Sequence, residues 1–340
     1  MVRVITVQDI SQLLKKVTLK TFFLKLIDQL NSDYSRWGEF QKSPRHATHV
    51  PDGVIELMPI SDKEYYSFKY VNGHPNNTRQ NKQTVIATGQ LALVESGYPV
   101  LISEMTVLTA IRTAATSAMV SRYLARKNAK TFGIIGCGAQ SEFQVLAHHF
   151  ALDIQEIYYF DTDPHAMEKF AANLKPYRLK MHPCTDGRSI VEKCDIVTTA
   201  TAQKGRHKIV ETDWVKKGCH LNKIGGDTPG KTELEASLLK KCKIVVELLE
   251  QTRVEGEIQQ VKNSPVYAEI WELATGQKKG RESETEITLF DSVGFAIEDY
   301  SVLRLVHRLA EEHHVGHQLD MIPHTPDPKN LFGVIATSRS

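Results

Sequence analysis

Lys130-Thr131-Phe132-Gly133-Ile134-Ile135-Gly136-Cys137-Gly138-Ala139-Gln140 reads as a short apolar strand running straight into a glycine turn. Ser141-Glu142-Phe143-Gln144-Val145-Leu146-Ala147 then continues with helical spacing. Strand, glycine turn and helix start are what a dinucleotide pyrophosphate needs. Gly136 turns the chain, Gly138 lets the backbone approach the phosphates, and the helix N-terminus offers unpaired N–H groups and partial positive charge. Ser141 replaces the third glycine of the usual fingerprint, and a Gly-x-Gly pair by itself is a weak signal. Its context strengthens it. The apolar run Ile157-Tyr158-Tyr159-Phe160 ends in Asp161, at the separation of roughly 20 residues where an acid takes the adenosine ribose hydroxyls and repels a 2′-phosphate. The reading is a nicotinamide dinucleotide site that prefers NAD; a plain parallel-sheet turn is the alternative.

Beyond the turn, strands and helices alternate. Asp163-Pro164 caps a helix that runs to Lys175. Lys180-Met181-His182 is a strand, 189–193 a short helix, 195–200 a buried strand, 219–224 another and 243–248 a further one. This alternation predicts a doubly wound parallel sheet. Upstream the pattern differs. Apolar residues recur at helical steps over 7–40 until Pro44. Val54-Ile55-Glu56-Leu57-Met58, 66–71 and 84–94 then read as strands, and Glu95-Ser96-Gly97 turns the chain into 98–103. That is an antiparallel meander with a hairpin. A helix over 106–126 lies between the two patterns and is the natural hinge. A long helix over 298–314 returns the chain to the first part. The expected architecture is α/β, a Rossmann sheet plus an antiparallel α+β substrate-binding and dimerisation domain. Its expected division is 1–115 with 315–340, and 116–314.

Composition sets the outer limits. At 340 residues the chain has ample material for a core, with 41% hydrophobic and 24% charged residues, the mixture of a soluble globular protein. A net charge of +2 provides no bulk field for nucleic acid or membrane. The first residues lack the apolar run of a signal peptide, and no stretch approaches the 18 or so apolar residues of a spanning helix. Five scattered cysteines without a Cys-x-x-Cys pair suit a reducing compartment, so a cytoplasmic location is expected. His313-His314-x-x-His317 lacks the glutamate of a zinc-protease helix and is broken by Gly316; no metal is expected there.

In doubly wound folds the ligand lies over the carboxyl ends of the strands. Thr198, Thr199 and Thr201 sit at one such end, and 225–231 follows another. In that loop Gly225, Gly226, Pro229 and Gly230 surround Asp227 and Lys231. A carboxylate on such a loop is placed for proton transfer, or is a turn aspartate bonding its own backbone. Before the turn, Arg45, Lys69 and Arg112 are cations among apolar neighbours. Burying one unpaired is costly, so each needs an anion, which a substrate carboxylate, a cofactor phosphate or an ordinary salt bridge would supply. Asp291-Ser292-Val293-Gly294 ends an apolar strand, where Ser292 is either a nicotinamide contact or a helix cap.

Several of these stretches together resemble the ornithine cyclodeaminase branch of the ornithine cyclodeaminase/mu-crystallin family, over nearly the whole chain. The superfamily features are Thr113-Ala114-Ala115-Thr116-Ser117 after Arg112, the glycine turn with its Ser141, and Gly225-Gly226-Asp227 with Pro229, Gly230, Lys231 and Glu233. More specific are Val54-Ile55-Glu56-Leu57-Met58-Pro59, Phe68-Lys69-Tyr70-Val71-Asn72-Gly73-His74-Pro75, Glu255-Gly256-Glu257-Ile258-Gln259-Gln260, and Phe290-Asp291-Ser292-Val293-Gly294-Phe295-Ala296. The resemblance implies conversion of L-ornithine to L-proline and ammonia, with NAD reduced and reoxidised within each turnover. It implies Asp227 as the acid/base, Arg45, Lys69 and Arg112 around the α-carboxylate, and Val293 beside the substrate. For NAD it implies Thr84, Arg112, Gly136, Gly138, Ala139, Gln140, Asp161, Thr201, Ile224, Gly225, Gly226, Lys231 and Ser292. It further implies a homodimer joined through the first domains. Within the family an amino-acid dehydrogenase, a lysine or arginine cyclodeaminase, an NADPH-consuming ketimine reductase and a non-catalytic mu-crystallin-like binder remain alternatives.

Overall fold

A computed structural model describes every residue except 52, 203, 204, 264 and 337–340, so the last four positions of the predicted 315–340 segment lie outside it. The chain builds two eight-stranded sheets. In the first, His317–Leu319, Val2–Ile5, Pro99–Glu104, Val85–Leu93, Tyr65–Gly73, Gly53–Ser61 and Gln41–Lys42 lie side by side in that order, with His46–Val50 also pairing Gly53–Ser61. Every pair is antiparallel except Val2–Ile5 with Pro99–Glu104. The strands at Val2–Ile5, Gln41–Lys42, His46–Val50 and His317–Leu319 carry too short a pattern to read from the sequence.

The second sheet is parallel throughout, in the order Lys180–Pro183, Glu156–Phe160, Thr131–Ile135, Ile196–Thr199, His220–Lys223, Ile287–Asp291, Cys242–Val246, Val266–Glu269. The chain starts at Thr131–Ile135, winds outward one way and then the other. The strand order therefore reverses beside the glycine turn, which is where such sheets open a crevice. The Asp163 side chain caps the next helix by accepting from His165 N–H, with Pro164 in the first turn.

The predicted helical region over 7–40 is two helices, Val7–Val17 and Leu19–Ser35, because Thr18 adopts φ 65° between them. That break turns Phe22, Phe23, Leu26, Ile27 and Leu30 into one core, all fully buried, each worth about 1.5–3 kcal/mol in transfer free energy. Helix Thr106–Leu124 runs between the sheets and is buried along most of its length. Helix Ala296–Glu312 leaves the last Rossmann strand region and packs on Leu19–Ser35, on Thr106–Leu124 and on the antiparallel sheet. No helix among the described residues is long and apolar enough to cross a membrane.

Candidate functional site

A cavity of about 700 Å³ opens where the two sheets meet. The antiparallel sheet and the segments before it contribute Arg45, Glu56, Lys69 and Thr84, and the central helix contributes Arg112. From the carboxyl ends of the parallel strands come Gly138, Ala139, Gln140, Thr201, Ile224 and Gly225. Asp227, Lys231, Ser292 and Val293 complete that wall. Three other predicted residues, Gly136, Gly226 and Asp161, are not part of the lining.

On the cofactor side, Gly136 has φ 102° and a Cβ there would lie 2.6 Å from the Ala200 carbonyl oxygen, so only glycine fits. At Gly138 a Cβ would meet nothing within 4 Å; the space faces the cavity. The Ser141 hydroxyl donates to the Gly138 carbonyl at 2.7 Å, and Asp161 accepts the Cys137 N–H at 2.6 Å. Asp161 therefore braces the turn from outside. Thr201 is held by Glu233 through both N–H (2.9 Å) and hydroxyl (2.5 Å), while Ser292 donates to Glu247 at 2.6 Å. Thr199 also donates to Glu233, and it and the fully buried Thr198 lie outside the cavity wall. A bare backbone cradle at Gly138, the start of helix Ser141–Leu152 and a carboxylate beside the turn fit a dinucleotide with its pyrophosphate on the helix end.

The loop 225–231 is shaped from below by charge. A Cβ on Gly225 would fall 2.2 Å from Glu233 Oε1, and one on Gly226 2.7 Å from Lys223 Cε. Asp227 at the loop's crest is half exposed, with Lys231 Nζ 3.8 Å from Oδ1. Its carboxylate accepts no hydrogen bond from its own loop among the described residues, which separates it from a self-bonded turn aspartate.

The three buried cations each have a carboxylate partner that the sequence reading left unassigned. Arg45 donates through Nη1 to both Glu56 oxygens (3.2 and 3.1 Å), through Nη2 to the Val293 and Gly294 carbonyls, and its Nε lies 3.3 Å from Glu255. Lys69 Nζ donates to Asp299 at 2.9 Å; Arg112 pairs Glu298 through Nη1 and lies 3.1 Å from Asp299 through Nε. Glu247 bonds Ser292 and the N–H groups of Val293 and Gly294. Burial, reinforced by Arg112 and opposed by Asp299, brings Lys69 down to about 8. Burial pushes Glu255 and Glu298 up to about 7, against the pull of Arg45 and Arg112 respectively. Three cations thus face five buried carboxylates. The signal for two of these was present in the sequence, since Glu298 and Asp299 lie inside an apolar helical run.

All five cysteines are free, and burial pushes Cys137 and Cys219 up to about 12, which leaves them inert thiols.

The model of the ornithine cyclodeaminase/mu-crystallin family matches residues 7–314. An ornithine cyclodeaminase of Agrobacterium fabrum is 46% identical over 331 residues, 97% of this chain and 94% of that protein. A solved lysine cyclodeaminase, described for its recognition of L-lysine, L-ornithine and L-2,4-diaminobutyric acid, superposes with a TM-score of 0.89 at 27% identity, covering 97% of this chain and 98% of its own. An archaeal alanine dehydrogenase dimer with bound NAD gives 0.86 at 32% identity, covering 94% and 99%.

Proposed function

The chain belongs to the ornithine cyclodeaminase/mu-crystallin family, and from that premise we propose that it converts L-ornithine to L-proline and ammonia with bound NAD. Near-half identity over almost the full length of ornithine cyclodeaminases supports this reading. The observation that carries it is the charge around the cavity. Arg45, Lys69 and Arg112 offer cations for one substrate carboxylate, and Glu56 and Asp227 set two carboxylates on the same wall. A diamino acid, with one carboxylate and two amino groups, finds a group of opposite charge for each on that wall.

Gly138, Ala139, Gln140, Thr84, Thr201, Ile224, Gly225, Lys231, Ser292 and Arg112, with the Gly136 turn, Gly226 and Asp161, would hold NAD, which would supply the oxidant and then the reductant of one turnover. Lys69, Arg112 and Arg45 orient the substrate through its α-carboxylate, and Val293 borders its side chain. The δ-ammonium of ornithine has a lysine-like pKa near 10, so it becomes a nucleophile only when a base takes its proton. Asp227 is that base, and it returns a proton to the departing ammonia. The amine adds to the Cα imine that oxidation of the α-amine would leave, an oriented five-membered closure within one molecule that precedes the loss of the α-nitrogen as ammonia. The imine must be shielded from water until the ring closes, because water would hydrolyse it to a keto acid.

The outer face of the antiparallel sheet leaves Leu57, Tyr66, Tyr70 and Ile86 exposed, which supports a homodimer joined there. The same reading divides the chain into a substrate-binding and dimerisation part, 1–115 and 315–340, and an NAD-binding part, 116–314. It places the protein in the cytoplasm, in ornithine and arginine catabolism and proline biosynthesis. Incubation with L-ornithine and catalytic NAD, following proline, ammonia and absorbance of NADH together, tests the activity. Proline and ammonia in equal amounts without accumulated NADH is expected. Net NADH would mark a dehydrogenase, faster turnover of L-lysine would move the preferred substrate within the family, and silence with every amino acid would leave a binder.

A further inference from the structure

Beneath the 225–231 loop lies a buried cluster to which the reaction above assigns no task. Lys223 ends the strand His220–Lys223 and is fully buried. Its ammonium donates to the carbonyl of Gly226, the peptide that leads into Asp227. Asp291 Oδ1 lies 3.3 Å and Glu257 Oε1 3.9 Å from the same nitrogen. Burial alone would lower the Lys223 ammonium, but Asp291 and Glu257 outweigh it and hold it above its ordinary value, so it stays charged.

The two acids are fixed in turn by backbone. Asp291 accepts the N–H groups of Glu257 and Ile258 at 2.9 and 3.0 Å, and Glu257 accepts those of Glu233 and Leu234 at 2.7 and 3.1 Å. Gly226 leaves the lysine head its room, since a Cβ there would lie 2.7 Å from Cε and 2.9 Å from Nζ. A buried ammonium among carboxylates is a costly support for a loop, and an apolar side chain of equal length would fill the space with less desolvation. What an apolar side chain cannot do is bind the Gly226 carbonyl.

We infer that Lys223 is a positioning residue for Asp227: by holding the Gly226 carbonyl it fixes the peptide plane from which Asp227 departs toward the substrate. This rests on the acid/base reading of Asp227. Lys223 is outside the cavity wall, so it acts through the loop and touches neither substrate nor cofactor.

The test compares the full-length enzyme with Lys223→Met, with the charge-balanced pair Lys223→Met/Glu257→Gln, with Asp227→Asn, and with Asp227→Asn combined with each. The pair covers the case in which Lys223→Met alone leaves too much buried negative charge to fold. Expected is a kcat lower by about 100-fold, the size of loss that a misplacement of roughly 1 Å produces, with KM for L-ornithine and Kd for NAD held within about threefold. In the Asp227→Asn background the further loss should vanish, because both changes disable one device. A kcat within about threefold of the parent in a folded variant, or a loss that adds in full to that of Asp227→Asn, overturns the inference. Should Asp227→Asn itself keep full turnover, the acid/base reading falls and takes this one with it; a silent Lys223 beside a dead Asp227→Asn sinks this one alone.

Discussion

At Gly138 a Cβ would meet nothing within 4 Å, whereas at Gly226 it would lie 2.7 Å from Lys223 Cε. The two glycine loops that flank the cavity therefore use the same residue for different ends. In the first, glycine keeps a surface clear for something that arrives from outside. In the second, it keeps space for side chains of the protein itself. The first loop is made of backbone and needs little beneath it but Asp161. The second sits on Lys223, Glu233, Glu257 and Asp291, and presents one half-exposed carboxylate above them. One loop is adapted to hold and the other to act.

The sharpest way to break that contrast is at the crest of the second loop. Asp227→Ala should lower the rate of proline formation by about 10³-fold or more, within the range of general acid/base contributions, while NAD binding by fluorescence is unchanged. Next come the two glycines. Gly138→Ala should leave the melting temperature of the ligand-free protein unaltered and weaken NAD by about tenfold or more, as the methyl enters the space where the backbone approaches the ligand. Gly226→Ala should do the reverse, costing about 1–3 kcal/mol of stability in denaturant titration through overpacking, with NAD affinity less affected than kcat. If the two glycines behave alike, the distinction fails.

Asp161→Ala should weaken NAD by about tenfold, the worth of one charge-assisted hydrogen bond, and shift preference toward NADP in paired titrations; an unchanged ratio would leave Asp161 as a brace for the Cys137 and Asp163 N–H groups. The smallest effect concerns pH. Burial, together with Asp291 and against Lys223, pushes Glu257 up to about 7. A carboxyl raised in the folded state contributes stability that is fully present below its unfolded value near 4.3 and is lost as pH rises through about 7. Glu257→Gln cannot titrate, so its melting temperature relative to the parent should climb between pH 5 and pH 8. A constant offset across that window would show that Glu257 does not titrate there.

The first loop was legible in the sequence because strand, turn, helix and following acid are neighbours along the chain. The parallel sheet followed from the alternation, and the helix between the two patterns from its apolar spacing. What the pattern could not reveal were partnerships across great sequence distance. Arg45, Lys69 and Arg112 were identifiable as cations in need of anions, yet Glu298 and Asp299 lie nearly two hundred residues beyond Arg112. Glu56 was in plain view in Val54-Ile55-Glu56-Leu57-Met58, and only the register of Gly53–Ser61 turns it toward Arg45. Lys223 reads as an ordinary strand-end lysine until the loop is folded over it. The break at Thr18 was invisible because nothing in threonine favours φ 65°.

Helix Ala296–Glu312 has a further consequence. Its first turn carries Glu298 and Asp299, which grip Arg112 on the central helix and Lys69 on the antiparallel sheet at the same time. Three elements are thereby pinned at one point beneath the cavity. Sliding one sheet over the other would part buried ion pairs, each break costing about 3–5 kcal/mol. Lys69 and Arg112, which line the chamber, are accordingly fixed by a joint at its floor.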